Sequence, residues 1–157
     1  MAIDIGIDAP SRKKVAGALE QVLTDTYALY TKTHGYHWNI EGPRFAQLHL
    51  LFETQYNELW ASLDLMAERI RALGHYAPSG ESIAGKTRIK ADNGVPNEDQ
   101  MLKNLAAGNE AVVKSAREAL VVAEEAGDQA TADLMTQRLI AGEKAAWMLR
   151  AHIAKDA

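Results

Sequence analysis

Four prolines, at positions 10, 43, 78 and 96, with none in the 61 residues that follow, constrain this 157-residue chain more than any other feature. Proline removes an amide donor and clashes with the preceding helical turn, so together with glycine it marks where helices stop. The stretches between these marks run to about 27 to 30 residues, and alanine, the best helix former, is the commonest residue at 27 of 157. The pattern predicts four long helices. The first spans about 11 to 38, opened by Ser11 after Pro10, with Val15, Leu19, Val22, Thr26, Leu29, Thr33 and Tyr36 at alternating spacings of four and three. The second begins at Gly42-Pro43 and ends at Gly74, a natural C-terminal cap, and Phe45, Leu48, Phe52, Tyr56, Leu59, Leu63, Met66, Ile70 and Leu73 hold one face throughout. The third starts at Asn97, with Gln100 as a capping-box partner, and stops near Gly127. The fourth fills Asp128 to Ile153, with Trp147, Met148 and Leu149 expected in the core.

The links between these helices carry topological information. Two are a few residues long and join antiparallel neighbours, whereas residues 75 to 96 form a link of 22 residues that can run the length of a bundle. A four-helix bundle with one long central crossover has the ferritin-like connectivity, and the segment SIAGKTRI within the crossover is the expected place for a short helix. The length fits one domain, 1–157, with residues 1–10 as a short N-terminal tail. The absence of cysteine excludes disulfides, thiolate metal sites and thiol catalysis, and leaves histidine and carboxylate as the protein's metal ligands. A reducing cytoplasm is the expected compartment, and no apolar run approaches the roughly 20 residues of a membrane span. With 17 Lys and Arg against 21 Asp and Glu, the net charge of −4 argues against a protein that coats nucleic acid with its whole surface.

Ferritin-like di-metal proteins carry Glu-x-x-His motifs on two helices, and no glutamate here has a histidine three residues later, so a centre inside a single bundle is not expected. The second helix offers a different pattern. His49 and Glu53 are four apart, as are Asp64 and Glu68, and at 100° per residue the four fall at 0°, 40°, 60° and 100°, one stripe beside the apolar face. Glu53 and Asp64 are nonetheless about 16 Å apart along the axis, too far for one metal site. The midpoint of 49 and 68 is 58.5, and so is that of 53 and 64. A two-fold axis at that point, relating antiparallel second helices of two copies, sets His49 and Glu53 of one chain opposite Glu68 and Asp64 of the other. Trp60 falls at 20° on the same stripe, where an interface would bury it. The first helix ends in KTHGYHWN, so His37 can add a nitrogen ligand, with His34 one turn earlier as the other candidate. Imidazoles with three carboxylates suit iron, manganese or zinc better than calcium or magnesium. His75 lacks a carboxylate at ligand spacing, and both it and His152 are expected at the surface.

The run KTHGYHWNIEGPRFAQLHLLFE, followed by DLMAERIRALG, closely resembles the Dps family, the miniferritins known as DNA-binding proteins from starved cells. The resemblance implies a hollow shell of twelve copies with 23 symmetry and ferroxidase sites at its two-fold interfaces. It assigns His37, His49 and Glu53 from one subunit, and Asp64 and Glu68 from its partner, as iron ligands. Many members have aspartate where Glu53 stands, so the longer side chain binds either directly or through water. Trp38 corresponds to the family tryptophan that takes up stray oxidising equivalents, and Asp128 and Asp133 fall near an acidic three-fold pore. The implied activity is oxidation of two Fe(II) by hydrogen peroxide, with ferric oxide stored in the cavity and DNA thereby protected.

Family members that bind DNA often use a lysine-rich tail. Here the tail MAIDIGIDAP has two aspartates and no lysine, Arg12, Lys13 and Lys14 are expected inside the first helix, the C-terminal AKDA is short, and Lys86, Arg88 and Lys90 form the only other basic cluster. Direct DNA binding, with association to the nucleoid, is therefore optional. Two rivals remain at this level: a nucleoid-binding structural protein whose metal sites hold structural zinc, and a plain helical interaction module.

Overall fold

The computed structural model describes residues 1–83 and 85–153. Its helices are α1 (Ala9–Asn39), α2 (Phe45–Ala72), α3 (Gly80–Ile83), α4 (Glu98–Glu125) and α5 (Gln129–Ala151). It is an all-α four-helix bundle in which α1 packs on α2 and α4, α4 packs on α5, and α2 meets α5 only sparsely. The α1 seam is buried from Val15 through Tyr36, and on α2 Leu48, Phe52, Leu59, Leu63, Met66 and Ile70 face inward. Phe45, expected on that face, is instead 45% exposed, because it sits at the first turn of α2 and stacks on the ring of His49. Trp147 is also a correction. It lies 61% exposed while Ala146 and Leu149 bury and Met148 is half-buried, since consecutive helical residues diverge by 100° and cannot all face the core.

The helix starts follow local chemistry more closely than the prolines suggest. Asp8, not Ser11, caps α1: its carboxylate accepts the Ser11 N–H at 2.8 Å, and Pro10 lies inside the first turn, where the missing N–H would be unpaired in any case. α2 begins two residues after Pro43, with no side-chain cap, and Gly74 leaves it at φ +94°, a backbone conformation suited to glycine. The Asn97 side chain accepts the Gln100 N–H as expected, but Gln100 turns away to Asn104, so the capping box is half formed.

Two aspartates pin the crossover, Asp25 from α1 beneath it and Asp92 from within it. Asp25, fully buried on α1, accepts from the Arg88 N–H, Thr87 Oγ1, Ser115 Oγ and Gln21 Nε2 at 2.6 to 3.1 Å. Asp92 accepts from the Tyr36 hydroxyl at 2.5 Å and pairs with Lys32 at 3.0 Å. Burial, followed by the hydrogen bond to Asp92, pushes the Tyr36 phenol well above its usual range, so the strap is held by a protonated phenol. The short helix lies at Gly80–Ile83, upstream of most of SIAGKTRI, where the Ser79 carbonyl and Ser82 hydroxyl close the turn. Ala84 and the AKDA terminus lie outside the described residues.

Candidate metal centre

His37 and His49 meet where the end of α1 faces the second turn of α2. Their rings stack with centroids 3.8 Å apart and planes 15° from parallel. Each Nδ1 lies 2.8 Å from the main-chain carbonyl of the other residue. A carbonyl only accepts, so both Nδ1 atoms carry a proton, and the neutral form of each ring has its lone pair on Nε2. This backbone bond to the far nitrogen is the support that metal-binding imidazoles characteristically have. His37 is buried and His49 half-buried, so the pair is shielded on the core side.

His34 has a different environment. Its ring stacks on Tyr56 at 4.0 Å and lies 4.2 Å from Trp38, and its Nδ1 is 3.0 Å from the Tyr30 hydroxyl. Burial among these rings, and then the proximity of His37, hold its pKa below 6.5. Of the two histidines at the end of α1, His37 is therefore the one brought to His49. Trp38 is 67% exposed beside them.

Glu53 is half-buried one turn beyond His49, while Asp64 and Glu68 are exposed farther along α2. The helical rise keeps Asp64 about 16 Å from Glu53. Among the described residues no three histidine or acidic side chains converge as a metal-binding set within the chain. Also among the described residues, Glu53, Asp64 and Glu68 join no salt bridge, whereas Glu58 on another face of α2 grips Arg138 with both oxygens at 2.6 and 2.7 Å. The uncommitted acids thus share one stripe with Trp60, which is 57% exposed, and Leu50 and Leu65 expose more than half their surface nearby.

Asp128, expected near a pore, is buried within the chain at the start of α5. It accepts from Arg69 at 2.7 Å and from the Thr131 hydroxyl and N–H at 2.6 and 3.0 Å. It serves as a helix cap, and Asp133 alone of that pair is exposed. His75 and His152 are half-buried, and His152 bonds the Met148 carbonyl. The ring packing of Tyr30 and Tyr56 around the histidines was missed in the sequence, although the i,i+4 spacing of Tyr30 and His34 signals it.

A ferritin-like domain model matches residues 16–157. An uncharacterized low temperature-induced protein of Nostoc is 38% identical over 155 residues, covering 96% of this chain and 86% of the relative. A DNA protection during starvation protein of Brevibacillus brevis is 33% identical over 141 residues, covering 88% and 94%. Among solved structures, a Dps protein of Vibrio cholerae O1, described as a member of a broad superfamily of ferritin-like diiron-carboxylate proteins, superposes with a TM-score of 0.90 at 33% identity over 96% of each chain. DpsC from Streptomyces coelicolor superposes with a TM-score of 0.94 at 28% identity, covering 100% of this chain and 93% of its own. With this sequence kinship and these superpositions over nearly the whole chain, the chain belongs to the Dps family of ferritin-like proteins.

Proposed function

We propose that this protein takes up Fe(II), oxidises it at sites shared between two copies, and stores the ferric product inside a shell of twelve, thereby keeping iron and peroxide away from DNA. The observation that carries the proposal is the locked pair His37 and His49, whose free Nε2 atoms point to a nitrogen half-site that no other ligand among the described residues completes. Glu53 adds a carboxylate from the same chain, and Asp64 and Glu68 of a second copy complete the set when α2 packs antiparallel about residue 58.5. Exposed Trp60, Leu50 and Leu65 supply apolar area for that contact.

Fe(II) is the substrate. Carboxylates favour Fe(III) over Fe(II), and imidazole retains the divalent ion long enough to react. Hydrogen peroxide is the preferred oxidant because two Fe(II) supply the two electrons that, with two protons, convert it to two waters without free hydroxyl radical. Zinc or manganese fits the same donors and would act as a competitor. The basic cluster on the crossover favours protection without DNA coating: Arg88 pairs with Glu118 at 2.9 Å, and Lys86 approaches Glu20 at 3.9 Å. Among the described residues no helix is long and apolar enough to cross a membrane.

The test is Fe(II) consumption with peroxide, followed optically, together with sedimentation. Oxidation no faster than in buffer would overturn the ferroxidase reading, and a monomer or isolated dimer would remove the storage cavity.

A further inference from the structure

The aromatic rings beside His37 and His49 form a run that leads away from the candidate metal centre. His37 meets the edge of Tyr56 at 5.2 Å, and Tyr56 lies 6.2 Å from Tyr30. Tyr30 continues to Trp60 at 5.1 Å and to Tyr27 at 6.2 Å. Within this run one phenol has an imidazole nitrogen in hydrogen-bond reach: the Tyr30 hydroxyl sits 3.0 Å from Nδ1 of His34, one turn along α1, and with the His34 proton on Nε2 that atom accepts from the phenol; both side chains are half-buried.

That pairing matters for one-electron chemistry. A phenol that loses an electron while keeping its proton becomes a strongly acidic radical cation, whereas a base in hydrogen-bond contact takes the proton in the same step and eases oxidation. Tyr36 also has a base, Asp92, but its ring neighbour is Phe52 at 6.5 Å, which cannot relay an electron in this way. Trp38 and Trp60 are more than half exposed, so a radical resting there would meet solvent or a neighbouring subunit.

The need arises from stoichiometry. Peroxide accepts two electrons, and a centre that holds a single Fe(II) supplies one. We propose that Tyr30, with His34 as its proton acceptor, is a redox-active tyrosine that supplies the missing electron when peroxide reacts at a centre holding one Fe(II). The O–O bond of peroxide breaks. One electron comes from Fe(II) and one from Tyr30, two solvent protons complete two waters, and the phenolic proton moves to Nδ1 of His34. The products are Fe(III), two waters, a neutral Tyr30 phenoxyl radical and the His34 imidazolium.

This inference rests on the ferroxidase reading, so the experiment has two arms. In the first, the assembled protein loaded with one Fe(II) per site is mixed with peroxide, freeze-quenched and examined by EPR. In the second, metal-free protein is oxidised by photogenerated ruthenium(III) tris-bipyridine, which needs no iron. A tyrosyl signal is expected in both arms, lost in Tyr30→Phe and kept in Tyr76→Phe. His34→Gln should slow formation of the radical by about 100-fold, the scale of a positioned proton acceptor, and remove its solvent deuterium isotope effect. A signal that survives Tyr30→Phe, or that vanishes in Tyr36→Phe instead, overturns the proposal, as does iron oxidation with no Tyr30 radical in either arm. A radical in the light-driven arm with no consumption of Fe(II) by peroxide overturns the ferroxidase reading and the iron-linked role, while leaving the redox-active pair itself demonstrated.

Discussion

If the iron site is shared between two chains, inactive variants must complement one another in a calculable ratio. His49→Ala removes a nitrogen ligand from one half, Asp64→Ala removes a carboxylate from the other, and each alone should lower peroxide-driven Fe(II) oxidation by at least about 100-fold. Co-expressed in equal amounts, the two variants pair at random and about half of all dimers are mixed. A mixed dimer has one site with both lesions and one with neither, so about a quarter of wild-type sites return. The converse mixture sharpens the test. Wild type co-expressed with the His49→Ala/Asp64→Ala chain gives mixed dimers in which both sites are broken, leaving about a quarter of sites intact, whereas a single-chain site would leave about half. Stopped-flow initial rates per chain, on material shown by sedimentation to be assembled, read both ratios. No recovery in the first mixture, or one-half activity in the second, would refute the shared site.

Three further outcomes follow from particular contacts. Asp25→Ala leaves the Arg88 amide and the Ser115 and Thr87 hydroxyls without their acceptor, which should destabilise the fold by about 3 kcal/mol in urea denaturation and accelerate hydrogen exchange in the crossover first. Burial opposes ionisation of Asp128, but the Thr131 hydroxyl and amide and Arg69 outweigh it and hold the carboxyl below 3.8. Because the folded pKa lies below the unfolded one, the ionised group stabilises the protein above pH about 4, and that contribution is lost as pH falls through the folded value. Acid unfolding of Asp128→Asn should therefore be flatter below pH about 4. Trp60→Glu places a charge on the exposed stripe of α2 between the acids and should shift sedimentation toward smaller species, with Fe(II) oxidation falling in parallel.

Proline spacing and link length predicted the helix number and connectivity because both act through the backbone, where the penalty for proline does not depend on tertiary context. Side-chain placement at helix ends was less legible. Ser11 and Asp8 are both good capping residues, and the choice depends on whether the turn containing Pro10 is already helical, as it is here with the Asp8 carboxylate accepting the Ser11 N–H. Trp147 was misplaced for a related reason. Hydrophobicity alone cannot tell a core residue from one left outward on α5, and the helical angle relative to Leu149 was the missing constraint.

The candidate site divides along the same line. Equal midpoints at 58.5 are a property of spacing, so the sequence could relate Glu53, Asp64 and Glu68 to a second chain. The choice between His34 and His37 is a property of ring packing, and both sit at helical spacings compatible with α2. What separates them is that the His37 ring exchanges hydrogen bonds with His49 through two backbone carbonyls, while Tyr30 occupies Nδ1 of His34. Those carbonyls have a consequence for assembly. Because the chain's own backbone already orients both imidazoles, the proposed shared site would need only carboxylates from a second copy, which Asp64 and Glu68 could present without first having to leave any ion pair among the described residues. The nitrogen half is thus organised before pairing, and the contact that buries Trp60 would also deliver the acids.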